Sequence, residues 1–498
     1  MEIAMRQSGI LMHISSLPSP YGIGTMGREA YEYVDFLKKA GQTCWQLLPI
    51  NPTGYGDSPY QGLSTYAGNP FLIDFDILKN EGLLEQSEIN KYDWGQDAHP
   101  SRVDYGVMFE HRIEILFTAY NRFEKTTNLA YQNYIEEEKW WLEDFALFMA
   151  LKHHYKFAPW SKWPSDIRLR KEKALKEARR EHASAIEFQK FIQYEFSKQW
   201  AFLRRHAFEN GIKIIGDVPI YVPYDSADVW SCPSNYQLDA KLNPVVVAGC
   251  PPDAFAKTGQ LWGNPIYDWA KMKEDKFSWW VKRLKKTAQF FDVVRIDHFR
   301  GLESYWAIPF GDETAENGKW VKGPGKALIN TIKKELPDVS FIAEDLGFLT
   351  PAVKKLQKDS GFPGMKVLEF GFDNTEPNEY TPDAYTENCV CYTGTHDNET
   401  LLQWSERIDP KCVKFIRKYL KLKKTDDICD AIIKAGMESK ADLFMAQMQD
   451  YLKIGAEGRM NRPSILCPDN WVWRMKKGED SDELAEKILK LTQKSKRI

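Results

Sequence analysis

Short apolar runs alternate along this chain with longer stretches of amphipathic spacing. Ser8–Ile14 (SGILMHI), Thr43–Ile50 (TCWQLLPI), Lys213–Val218 (KIIGDV) and the FFDVVRI run from Phe290 are rich in buried-type and β-branched residues, as interior strands covered on both faces are. Four more runs follow at Val339–Ala343, Met365–Phe370, Cys389–Tyr392 and Met445–Leu452. Between them the apolar period changes. Gly27–Ala40 puts Ala30, Tyr33, Val34 and Leu37 on one face, and Gly41 stands where a helix would stop. Residues Ile186–Glu209 repeat at Phe188, Phe191, Ile192, Phe196, Trp200 and Leu203 and end at Asn210–Gly211. Phe277–Gln289, Pro351–Asp359 and Ser481–Gln493 read as further helices. Strands near residues 10, 45, 215, 293, 341, 367, 391 and 448, separated by helices, predict an α/β protein with a (β/α)8 barrel across residues 1–498.

Two stretches do not fit the simple alternation. Residues 76–200 are charged and helical in pattern with few strand-like runs, and are expected to be a mostly helical insertion between strands two and three. Residues 219–268 show little periodicity but hold many Trp, Tyr and Pro. A loop of that length in a compact protein is functional or disordered, and its aromatic content favours an ordered insertion over the site.

Composition narrows the function classes. The 67 basic residues nearly balance 70 acidic ones, so there is no electrostatic case for nucleic acid or an anionic membrane surface as a partner. No run reaches the roughly 18 apolar residues that span a bilayer, and the amino-terminal stretch lacks the apolar core of a signal peptide. Eight scattered cysteines without a CxxC pair fit reduced thiols, and cytoplasmic location is expected. With 17 Trp, 23 Tyr and 27 Phe, aromatics make up 13% of the chain. Most belong in the core, but aromatic faces also stack on sugar rings.

The candidate chemistry sits where the apolar runs end, because barrel active sites lie at the C-terminal ends of strands. Strand three ends on Asp217 and strand four on Asp297; strand five ends on Glu344–Asp345 and strand seven on His396–Asp397. Arg295 and Asp297, at i and i+2, share one side of their strand, so the guanidinium favours an ionised carboxylate, as a nucleophile requires. One such carboxylate could be a strand-end ion pair. Four at one rim repel each other unless they are used. Paired carboxylates act as acid and nucleophile on acetals. Metal binding is the competing use, but there is no EF-hand loop, no HExxH and no Cys/His cluster. Nor is there a GxxxxGK[ST] or GxGxxG phosphate loop, or a GxSxG elbow.

GYGDSPYQ…AGNP, GDVPIYV, PPDAF…TGQLWGNP, VRIDHFRG, AEDLG, THDNET and RMNRP…NWVWR occur in that order. The set resembles the amylomaltase family, the bacterial 4-α-glucanotransferases of glycoside hydrolase family 77, over residues 8–474. The resemblance implies a cytoplasmic transferase acting on α-1,4-glucans and maltooligosaccharides, with glucose as an acceptor and no metal or other cofactor. It implies a retaining double displacement with Asp297 as nucleophile, Glu344 as acid/base and Asp397 as transition-state stabiliser. It also places Tyr55, Ser58 and Tyr60 on the donor side and Asp253 and Trp262 near the acceptor side.

The chemistry of the residues agrees with these roles. Glu344 needs a raised pKa to be an acid at neutral pH. Asp397 beside His396 can hold the 2- and 3-hydroxyls, with Asp217 and His298 as further hydroxyl contacts, although a buried structural role remains open for His298. Related α-amylases carry a histidine where this chain has Gly301, and an Asn-His pair where it has Tyr221–Val222. Both departures favour transfer over the alternative, an α-glucan hydrolase of the α-amylase clan. A non-catalytic glucan-binding barrel is a third reading, and both monomer and homodimer are open.

Overall fold

The computed structural model describes residues 6–96, 98–252, 256–347 and 349–498. Eight parallel strands make one sheet: β1 (Gln7–Leu11), β2 (Cys44–Gln46), β3 (Lys213–Val218), β4 (Val293–Ile296), β5 (Ser340–Ala343), β6 (Gly364–Val367), β7 (Cys389–Tyr392) and β8 (Leu443–Gln447). Their order is β6-β7-β8-β1-β2-β3-β4-β5, so each strand neighbours the next in sequence and β8 lies beside β1. The two ends of that order meet where the Ala343 N–H donates to the Pro363 carbonyl at 2.9 Å. This is a (β/α)8 barrel. Cys44, Ile215, Ile342, Met365, Val390 and Met445 fill its interior, as the inward residues of parallel strands do.

Helix and strand bounds follow local chemistry. The first helix, Arg28–Lys39, ends before Gly41, whose φ of +67° is the left-handed turn that glycine adopts freely. The second strand is shorter than the apolar run around it. Leu47 still donates to the Ile215 carbonyl at 2.8 Å, but Pro49 has no N–H to extend the ladder. The last strand is Leu443–Gln447, and Met448–Leu452 is a helix rather than its continuation. Met448, Tyr451 and Leu452 stand at i, i+3 and i+4, which is helical spacing that an unbroken apolar run conceals.

Between β2 and β3 the chain is helical, dominated by Leu129–His154 packed against Ala183–Glu209. The second of these helices clamps the loop after β2. Gln193 both accepts from the Gly68 N–H at 2.7 Å and donates to the Gly68 carbonyl at 3.0 Å. Two turns on, Gln199 accepts from the Asp74 N–H at 2.7 Å and donates to its carbonyl at 3.3 Å. Arg283 ties the same loop to the β3 exit, reaching Thr65 Oγ1 at 2.6 Å and the Pro219 carbonyl at 2.6 Å.

Residues 219–268 are less irregular than their sequence suggests. They contain the helix Ala227–Ser231 and the strands Val246–Cys250 and Gln260–Pro265. Those strands join Ser304–Pro309 and Lys319–Lys322 in a four-stranded antiparallel sheet. Half of that sheet comes from beyond β4, and the pairing that joins the halves, Val246–Cys250 with Ser304–Pro309, is non-local and leaves no mark in a local window. Among the described residues no disulfide joins any of the cysteines. Among the described residues no helix is long and apolar enough to cross a membrane.

Candidate active site

The exits of β3, β4, β5 and β7 bring the acidic residues to one rim. Asp217 and Arg295 are directly paired across β3 and β4, and both side chains are buried. Arg295 Nη1 lies 2.5 Å from Asp217 Oδ2 and 3.0 Å from Asp297 Oδ1. One guanidinium therefore serves two carboxylates. Its Nε rests 3.4 Å from the Met365 sulfur, which forms the floor beneath it. The Tyr60 hydroxyl donates to Asp217 Oδ2 at 2.7 Å and lies 3.3 Å from His396 Nδ1. Its ring stacks on the imidazole at 4.8 Å.

Backbone geometry positions the Glu344 carboxylate. His298 has φ +50°, an uncommon conformation for a side-chain-bearing residue, and this points its N–H at Glu344 Oε2, 2.7 Å away. The Leu346 N–H donates to Oε1 at 2.9 Å. The next carboxylate, Asp345, accepts from the Met365 N–H at 2.7 Å and so lies across the β5–β6 junction instead of joining the site. Asp397 is half exposed, and its Oδ1 accepts from Asn461 Nδ2 at 2.7 Å. Arg459 Nη2 donates to the Asp397 carbonyl at 3.2 Å, and His396 Nε2 lies 3.4 Å from Asp397 Oδ1.

The electrostatics follow from burial. Burial pushes the Glu344 carboxyl above the ordinary carboxylate range, against the pull of Arg295 and the two backbone N–H groups. Burial also pushes Asp297 well up, helped by Asp217, Glu344 and Asp397 and opposed by Arg295. The expectation that Arg295 alone keeps Asp297 ionised is therefore too simple, because the guanidinium is shared with Asp217. Of Asp297 and Glu344, Asp297 touches the guanidinium, and that contact favours the charge there. Burial holds both histidines neutral: His298 is pushed down to about 3, with Arg300 adding to the effect, and His396 is lowered.

Residues 12–480 match the family model described as 4-alpha-glucanotransferase. The chain belongs to the 4-alpha-glucanotransferase family. It is 46% identical to the 4-alpha-glucanotransferase of Clostridium butyricum, over 97% of this chain and 99% of that one. It is 43% identical to that of Thermus thermophilus, over 99% of each. Its fold superposes on an amylomaltase from Streptococcus agalactiae, solved in complex with acarbose, with a TM-score of 0.95 and 41% identity, covering 98% of this chain and 99% of that one.

Within this glucanotransferase scaffold the remaining candidates divide. Trp262 stands edge-on to His298, with ring centroids 4.8 Å apart, and reaches the site from the antiparallel sheet. Ser58 spends its oxygen on its own turn, accepting from the Tyr60 N–H at 3.3 Å. Tyr55 is 93% exposed. Asp253 lies outside the described residues. At Gly301 a Cβ would meet Ile220 Cδ1 at 2.7 Å and His298 Cδ2 at 3.0 Å, so a side chain there would require these neighbours to shift. Asn461 and Arg459 have no place among the sequence candidates, although RMNRP lies just past the last strand, where a barrel loop reaches the same rim.

Proposed function

We propose that this 4-alpha-glucanotransferase moves α-1,4-glucan segments from a donor maltodextrin to the 4-hydroxyl of an acceptor glucan or glucose, by a retaining double displacement. The Asp297 carboxylate attacks the anomeric carbon. The bond to the departing glycosidic oxygen breaks as Glu344 delivers its proton to that oxygen. The acceptor hydroxyl then gives its proton to the Glu344 carboxylate and attacks the same carbon, displacing Asp297. Both partners end in their starting state. Asp397 receives the 2- and 3-hydroxyls, in bonds that strengthen as the ring flattens. Tyr60, Asp217 and His396 complete the pocket for the sugar that reacts, and Trp262 stands toward the acceptor.

The observation that carries this reading is the Asp217–Arg295–Asp297 array beside Glu344. Charge on Asp297 and the proton on Glu344 is the distribution the first step uses. Transfer in place of hydrolysis requires that a sugar reach the intermediate before water does. Binding energy from an ordered acceptor and exclusion of solvent by the 219–268 segment would supply that. Incubation with maltotriose tests the reaction. Glucose together with a ladder of longer oligomers is expected. Reducing ends that rise in step with maltotriose consumption, with no longer products, would point to hydrolysis and overturn the proposal.

A further inference from the structure

Behind Asp397 lies a carboxyl group that none of these steps uses. Glu369 sits in the short helix Leu368–Phe372 after β6 and is 3% exposed. Its Oε2 accepts from Asn398 Nδ2 at 3.2 Å. Asn398 Oδ1 in turn accepts from both the Thr395 N–H and the Thr395 hydroxyl, each at 2.9 Å. The Thr395 Oγ1 then accepts from the Asp397 N–H at 3.3 Å. Three hydrogen-bonded steps thus run from Glu369 to the backbone that carries Asp397. We propose that Glu369 is a positioning residue for Asp397, anchoring the Thr395–Asn398 turn through the Asn398 side-chain amide.

The inference rests on the reading of Asp397 as a catalytic residue. Glu369 does this work as a neutral acid. Burial pushes its carboxyl well up, and Asp450, Glu399 and Asp373 add to the effect while Asn398 opposes it. The cation that faces this group, Arg459, makes its ion pair with Glu399 at 3.6 Å. Oε1 finds no donor among the described residues, as suits a carboxyl that is not charged. A neutral isostere should therefore serve as well as the acid.

Three substitutions test this in the full chain: Glu369→Gln, Glu369→Met and Glu369→Asp, each with Tm measured beside kcat and KM on maltotriose. The Gln variant is expected to keep kcat within about threefold. The Met variant, of similar length but without an acceptor, should lose about 10- to 100-fold in kcat with KM changed less than about threefold, the range seen when support behind a reacting group is removed. If the Met variant does not fold, the Asp variant decides, because its shorter side chain stays polar but falls short of Asn398. It should show the same selective loss of kcat. Wild-type kcat in a folded Met or Asp variant overturns the proposal, and so does a Gln variant as impaired as Met. Asp397→Ala run alongside separates the two readings. If it stays active, the assignment of Asp397 fails. If it is dead while the folded Met variant is active, only the role of Glu369 fails.

Discussion

Arg295→Met is the most informative single perturbation of the site. The guanidinium stands 3.0 Å from Asp297 Oδ1. Two unit charges at that distance in an effective dielectric of about 20 interact by roughly 5.5 kcal/mol, equivalent to about four pKa units. That is an upper bound here, since Asp297 keeps 27% side-chain exposure and Arg295 divides its charge with Asp217. Halving it leaves an expected shift of about two units. The sign is fixed: losing the cation disfavours the Asp297 carboxylate, so its pKa rises. The acid limb of kcat/KM, which reports the free enzyme, should therefore move to higher pH by about two units, with glucose release from maltotriose as the assay. Below that limb the variant should be about 100-fold slower than wild type, and the gap should narrow as pH rises. The change also leaves Asp217 buried without its partner, at a cost of roughly 3–5 kcal/mol, so assays belong well below the lowered Tm. Arg295→Lys, which keeps a charge but cannot bridge two carboxylates, should shift the limb less. A folded Arg295→Met variant that is slower by one constant factor at every pH would refute the electrostatic role.

Three further predictions concern the acid, the strand interior and a buried carboxyl away from the site. Glu344→Gln should lose about 10²–10⁴-fold on maltotriose, the usual worth of a general acid. It should lose far less in releasing fluoride from a maltosyl fluoride, whose leaving group needs no proton; equal losses on both donors would remove Glu344 from the acid role. Gly216→Ala should destabilise by about 1–3 kcal/mol, because the new Cβ would meet the Phe291 ring at 2.0 Å inside β3, and an unchanged melting temperature would contradict that packing. Asp228 is pushed up to about 6 by burial, above its value in the unfolded chain. Its contribution to stability is full below about pH 4 and is lost as pH rises through about 6. Asp228→Asn should accordingly raise Tm relative to wild type at pH 7.5, with the difference shrinking toward pH 4; a constant difference across that range would show that the carboxyl does not titrate as its burial implies.

The barrel was legible in the sequence because parallel strands buried on both faces must be short and apolar, and all eight runs carry that mark although two insertions break their spacing. The rim carboxylates were legible for a related reason. A charge at the end of an apolar run has nowhere to hide, so Asp217, Asp297, Glu344 and Asp397 stood out. What did not show was whatever depends on distant pairing. The strand Val246–Cys250 pairs with nearby Gln260–Pro265 on one edge, but its other edge is held by Ser304–Pro309, and no local window holds all three. Asn461 was silent for a similar reason, since a single amide in a loop gives no periodic signal until Asp397 is placed 2.7 Å from it. Arg295 was placed correctly beside Asp297, but its second obligation to Asp217 comes from the register of two strands 78 residues apart. That sharing changes the charge balance of the site.

The barrel's closure is uneven, and this bears on how the enzyme fails when heated. Every other neighbouring pair of strands is held by at least three register pairs. The β5–β6 junction has the Ala343–Pro363 main-chain bond and the Asp345 side chain reaching the Met365 N–H. Stability is not uniform across a fold, and the thinnest junction opens first. Here it opens one residue from Glu344. Amides of β5 and β6 should then exchange with solvent sooner than those of β1 and β8, and heat should displace Glu344, the proposed acid, while the other carboxylates still hold their places. Inactivation would precede melting. A staple engineered across this gap would extend the working life of the catalyst at high temperature, even if the melting temperature of the whole chain did not move.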